Sequence, residues 1–162
     1  MTISDLMPAH LVEDTPDTPD AADAPGASSA LRRPGHDMYP AGTTTLESGT
    51  DLYLYFELYG SGASAARPAT LRIQAALVPD TDRGDGRLER LLGGIFADAD
   101  RAPVSVDFSE SVSTDVVHRY LILRTDGLDP GHYTVAIRVT DPETDHTTQS
   151  TRTIELTEQV ED

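Results

Sequence analysis

Along most of this chain apolar and polar residues alternate one by one. In Asp51–Tyr59, Leu52, Leu54, Phe56 and Leu58 fall on one side, and Tyr53, Tyr55, Glu57 and Tyr59 on the other. A strand sends successive side chains to opposite faces, so this period of two predicts a half-buried strand. Ala69–Val78 repeats the pattern, with Leu71, Ile73, Ala75 and Leu77 inward and Arg72 and Gln74 outward. Pro103–Phe108 places Val104, Val106 and Phe108 on one face, and Val116–Arg124 sets Val117, Leu121 and Leu123 against His118, Tyr120 and Ile122. The clearest case is His132–Thr140, where Tyr133, Val135, Ile137 and Val139 alternate with His132, Thr134, Ala136 and Arg138. Beyond an Asp141–Asp145 turn, the Thr-rich Thr147–Thr157 returns with Ile154 and Leu156 inward.

Small and turn-forming residues separate these runs: Gly60–Ala66, and PDTDRGDG at Pro79–Gly86. Only Arg87–Phe96 has helical spacing, through Leu88, Leu91, Leu92 and Ile95, and Gly93 and Gly94 limit it to a turn or two. Six to eight short strands with almost no helix predict an all-β, immunoglobulin-like antiparallel β-sandwich.

The first residues read differently. Ile3–Leu6 and Ala9–Val12 are short apolar stretches interrupted by Pro8, as in an edge strand. Glu13–Ala30 (EDTPDTPDAADAPGASSA) has five acids, three prolines, no basic group and no large apolar side chain. Such a stretch buries too little surface to offset its chain entropy, which predicts a disordered acidic loop near the N-terminus. The expected organisation is an N-terminal edge strand segment at 1–12, an acidic Pro-rich flexible loop at 13–37, and the β-sandwich domain at 38–158.

Composition narrows the partners. The chain has 162 residues, enough for one domain with a tail, and a formal charge of −16 from 28 acids and 12 basic residues, all of them Arg. Nucleic-acid binders need a basic footprint, so a phosphate-backbone partner is not expected. No apolar run reaches the roughly 18 residues of a membrane span. There is no Cys, hence no disulfide, thiolate metal site or thiol nucleophile. An acidic, Lys-free surface suits concentrated salt, although GC-rich codon usage also replaces Lys by Arg. Met1–Leu11 has no basic residue and no apolar core, so no export signal is expected. The default is a cytoplasmic protein, or, for the end of a longer chain, an envelope or exported context.

Catalytic motifs are missing: there is no GxSxG, HExxH or Walker loop, and Gly60-Ser61-Gly62 lacks the third glycine of a dinucleotide fingerprint. No enzyme and no cofactor are expected. His10, His36, His118, His132 and His146 show no metal-binding spacing, although the last hairpin brings His132 and His146 into question together with Asp141 and Asp145. Asp80, Asp82 and Asp85 are weak calcium candidates: Asp80 and Asp82 fit loop positions 1 and 3, but Gly84, Asp85 and Leu91 fail later ones. An acidic hydrated turn is the simpler reading.

Tyr53, Tyr55 and Tyr59 are the most distinctive surface. On an open face the phenols form a platform for a partner protein or a sugar ring; under a covering segment they are second-face packing. The N-terminal stretch and Arg87–Phe96 are both available as that cover. Leu128-Asp129-Pro130-Gly131-His132-Tyr133 predicts a structural corner. Pro130 presets φ, Gly131 accepts a positive φ, and the Tyr133 hydroxyl reaches back to a backbone group, as in the tyrosine corner of immunoglobulin-like sandwiches.

Three segments in order carry a family resemblance: ISDLMPA (Ile3–Ala9), LYLYFELYG (Leu52–Gly60), and LDPGHYTVAIRVTD (Leu128–Asp141) followed by a Thr-rich return. They resemble the C-terminal β-sandwich region of GWxTD-domain bacterial proteins, whose members carry a YFEIYN-like strand and an LPPGxYxLxVxVxD strand. The resemblance runs with gaps from Ile3 to Leu156. The GWxTD motif itself is absent, as is the helical region before it, and Gly60 stands where the family has Asn. What the resemblance implies is a fold and an accessory position beside another domain, without a reaction. The expected function is thus a non-catalytic immunoglobulin-like module making protein–protein or inter-domain contacts, with a protein partner or an upstream domain. The alternative is a carbohydrate-binding β-sandwich using the tyrosine face.

Overall fold

A computed structural model describes residues 1–14, 31–33, 36–80, 96 and 102–158. The described residues form eleven strands: β1 (Thr2–Ile3), β2 (Met7–Asp14), β3 (Leu31–Arg33), β4 (His36–Pro40), β5 (Thr45–Glu47), β6 (Asp51–Tyr59), β7 (Ala69–Pro79), β8 (Val104–Val112), β9 (Val116–Arg124), β10 (Gly131–Asp141) and β11 (His146–Thr157). The described strands form two sheets, an all-β architecture. The first holds β1, β2, β3, β4, β6 and β9, and the second runs β5-β11-β10-β7-β8.

The alternation read from the sequence is the reason the sheets meet. Leu52, Leu54, Phe56 and Leu58 of β6, with Val117 and Leu123 of β9, are buried in one cluster with Leu71, Ile73 and Leu77 of β7 and Val135, Ile137 and Val139 of β10. Ile154 and Leu156 of β11 and Ile3 and Leu6 near the N-terminus complete it. Each such side chain removed from water contributes about 1.5–3 kcal/mol, so this layer dominates the fold. At its open side Arg119 Nε of β9 donates to Glu110 of β8 at 2.8 and 2.9 Å, an ion pair linking one sheet to the other.

β6 lies at the centre of the first sheet. It pairs along its full length with β9, from Asp51↔Arg124 to Tyr59↔Val116, and along its other edge with β1 and with Met7–Ala9 of β2. β2 then shifts register between Ala9 and Leu11 and continues as the partner of β4. A bulge of this kind bends a strand and raises its local twist. The result is a ribbon of β2, β4 and β3 turned back over the outer face of β6 and β9. Two strands separate β4 from β9 in the sheet, yet the His36 ring lies 5.5 Å from Tyr120 and 6.4 Å from Tyr55. The expected loop at 13–37 therefore needs correction at both ends: Glu13 and Asp14 finish β2, while 31–33 and 36–37 belong to paired strands. Residues 15–30 lie outside the described residues.

The second sheet also has a covered outer face. Ala76 and Ala136 are register partners on β7 and β10, and their small side chains leave room for the Phe96 ring, which packs on both. The Arg138 guanidinium lies 4.2 Å from the centre of that ring. Burial lowers the pKa of this guanidinium from its usual value.

Candidate functional site

The candidate site is the outer face of β6 and β9. On β6, Tyr55, Glu57 and Tyr59 follow one another on the same side at every second residue, and Glu57 is the direct cross-strand partner of His118. The Glu57 carboxylate accepts from the Tyr55 hydroxyl at 2.5 Å and from the Tyr59 hydroxyl. His118 Nδ1 lies 3.0 Å from the Tyr55 oxygen and 3.3 Å from Glu57 Oε1. The Glu57 backbone N–H donates to Ser4 Oγ at 2.9 Å. A carboxylate side chain only 11% exposed is thus held by two phenols and an imidazole. Such a network is costly when half satisfied and rigid when complete.

The three tyrosines of the candidate face have different environments. Tyr55 is buried under Met38 and Ala9, Tyr53 is half-buried in the same small cluster, and Tyr59 is exposed. The cover is the β2–β4–β3 ribbon. Arg87–Phe96, the other candidate cover, lies outside the described residues except for Phe96, which packs on the opposite sheet. Tyr120 joins the covered cluster, and its hydroxyl faces Asp14 at 3.4 Å. Burial first, and then the Asp14 charge, raise its pKa above the usual phenol value.

Of the four large hydrophobic residues exposed among the described ones, three stand on this face: Tyr59, Val116 and Ile122, the last 45% exposed. Tyr59 and Val116 are cross-strand partners at one end, and Ile122 pairs with Tyr53 near the other. An open cleft of about 400 Å³ is lined by His36, Thr114 and the four successive residues Val116, Val117, His118 and Arg119. Successive strand residues point to opposite faces, so a cleft touching all four meets the edge of β9.

The other candidates lie elsewhere. Asp80 closes β7, its N–H donating to His132 O at 2.8 Å, whereas Asp82 and Asp85 lie outside the described residues. His132 pairs with Glu155 at one end of the last hairpin and His146 with Asp141 at the other, so the two histidines do not meet. Instead His146 Nε2 lies 3.0 Å from Met1 O. Among the described residues no three His, Asp or Glu side chains converge as a metal site requires, and no helix is long and apolar enough to cross a membrane.

At the corner, the Tyr133 hydroxyl donates to Asp129 O at 2.7 Å, and Leu128 N–H donates to Thr125 O at 3.1 Å. Gly131 has φ of 154°, and Pro130 and Leu128 line the adjoining surface. Two supports went unread in the sequence. Thr125 is fully buried and donates to Thr50 O at 2.5 Å, and Ser48 Oγ donates to Leu128 O at 2.6 Å. Ser and Thr beside turns commonly bond to backbone, but the sequence does not name the distant acceptor.

No family model matches the chain, and neither does any curated protein or solved structure.

Proposed function

We propose that this chain is a non-catalytic, immunoglobulin-like accessory module that binds a protein partner or a neighbouring domain through the outer face and edge of β6 and β9. The observation that carries this reading is the concentration of exposed Tyr59, Val116 and Ile122 there, while the remaining alternation is spent on burial. Exposed apolar residues grouped on one face mark interaction surfaces more often than scattered ones do.

The strand order supports the immunoglobulin-like part. The chain passes from β6 in one sheet to β7 and β8 in the other, back to β9, and then to β10 and β11, while β5 lies parallel to β11. Tyr133 supplies the matching corner bond. The resemblance to the C-terminal sandwich of GWxTD-domain proteins supports an accessory position beside another domain. Fold likeness alone supplies no reaction. A sugar platform is the weaker reading, since Tyr55 is buried and the phenols of Tyr55 and Tyr59 are committed to Glu57.

The test is a photo-crosslinking amino acid placed at Ile122, with a control at Asp107 on the outer side of β8, in extracts of the source cells. Repeated capture of one defined protein from position 122, and not from 107, is the expected result. Equal, diffuse labelling from both positions would refute the reading, and glycan-array hits lost on Tyr53→Ala would favour the sugar-binding alternative.

A further inference from the structure

The sheets have five edge strands among the described residues, and they are not equivalent: β1 has only two residues. β3 and β5 are three residues long, too short to template another strand. β8 and β9 are nine residues each. The outward side chains of β8 are Ser105, Asp107, Ser109 and Ser111, and Asp107 is bound by Arg72 at 2.6 and 2.9 Å. Polar and charged side chains of this kind blunt an edge. β9 is less protected: among the described residues no strand pairs with its outer edge, although the ribbon reaches Tyr120 and the Val116 and His118 carbonyls accept from Thr114 Oγ1 and Arg119 Nη1, each at 2.7 Å. Its register with β6 runs without a bulge from Val116 to Arg124, it contains no Pro or Lys, and its outward side chains are Val116, His118, Tyr120 and Ile122, with Arg124 at its end. Its one inward charge, Arg119, is neutralised by Glu110.

We infer that β9 is a strand-addition site for an extended, basic segment of another protein. This rests on the reading of the module as a contact domain and names the partner's chemistry. Among the described residues the outward N–H and C=O groups of β9 have no strand partner and offer the main-chain hydrogen bonds of β-augmentation, and a cleft adjoins the first half of this edge along Val116–Arg119. Val116 and Ile122 are six residues apart, roughly 20 Å on a strand, so the incoming segment spans about seven residues with apolar side chains at alternate positions. Its remaining side chains are Lys or Arg, because Asp14 faces Tyr120, Asp115 adjoins Val116, the two arginines of β9 have Glu110 and Asp51 beside them, and the chain as a whole carries −16. The same charge disfavours a second copy of this chain as the occupant, since pairing would bring two such surfaces together.

The experiment uses the full chain and two synthetic peptides the length of β9, one alternating Lys with Val and the other Glu with Val. Binding is followed by calorimetry, and hydrogen exchange is read along β9. The Lys–Val peptide is expected to bind, to slow exchange of the outward β9 amides, and to lose about tenfold or more in affinity on Ile122→Arg, a change at an exposed position that leaves the fold intact. Equal binding of the Glu–Val peptide overturns the charge argument. Binding that neither slows β9 exchange nor responds to Ile122→Arg is general attraction to an acidic surface and overturns the site. A dimer in sedimentation that Ile122→Arg dissolves makes the occupant a second copy and also overturns it. Failure of these peptides alongside a defined crosslink from position 122 removes the strand-addition mode and leaves the contact-module reading standing.

Discussion

Tyr133 shows how one side chain serves two layers. Its ring belongs to the shared core, while its hydroxyl closes the corner on Asp129 O, four residues back. Tyr133→Phe keeps the ring and removes only that bond, so it is expected to cost about 0.5–1.5 kcal/mol in chemical denaturation. A second signature is the titration of the buried hydroxyl itself. Burial, with a smaller contribution from Asp129, raises the Tyr133 pKa above its ordinary 10.0. The unfolded chain then releases its proton at lower pH than the folded one, and stability falls as pH rises past about 10. The Phe variant should lose part of that alkaline slope, seen by comparing melts at neutral and high pH.

At the scale of elements, the last hairpin is set by its turn as well as by its strands. The Asp141 carboxylate accepts from the Thr144 hydroxyl at 2.7 Å and from the Glu143 backbone N–H at 2.9 Å. Asp145 next to them takes φ of 56°, a left-handed conformation that Asp tolerates better than most residues. The Thr144 bond and then the backbone donors hold the Asp141 carboxyl below its ordinary pKa of 3.8. The stabilisation is therefore complete above that value and is lost as pH falls through the lower folded one. Asp141→Ala should cost up to about 1 kcal/mol at neutral pH and flatten the acid limb of the stability curve, with the exposed position keeping the effect small.

Period-two strands were legible in the sequence because each one has a single greasy face: Leu52 to Leu58, Leu71 to Leu77 and Tyr133 to Val139 all point inward. The β3–β4 ribbon was not. Its Leu31, Met38 and Tyr39 are scattered among Arg, His, Asp and Pro with no alternating apolar face, and its strands are fixed by the pairing of β4 with β2 and of β3 with β4. The second-face burial of Ala76 and Ala136 was equally hidden, since Phe96 arrives from elsewhere along the chain to cover them. On the candidate face the tyrosines were visible as a set. Their division into Tyr55 inside and Tyr59 outside depends on a bulge near His10 that no local pattern announces.

For the molecule as a whole, charge is the dominant surface fact. A net charge of −16 on a chain of this size produces self-repulsion that opposes compactness. Salt relieves it, because the screening length shrinks to about 3 Å at 1 M. The melting temperature is expected to rise between low salt and molar KCl, and a flat response would point to codon usage as the origin of the acidic, Lys-free composition. High salt should also weaken capture of a basic segment by β9, so stability and binding are expected to move in opposite directions with ionic strength.

The β5 strand has a consequence for synthesis. Thr45–Glu47 lies parallel to Glu155–Thr157, and Thr45 Oγ1 reaches Glu155 across 110 residues of sequence. While the chain is still emerging from the ribosome, β5 has no neighbour in its own sheet, and a contact of such long range forms late. For most of translation a nascent β5 must wait for its mate, and losing the last few residues of β11 would leave it permanently single.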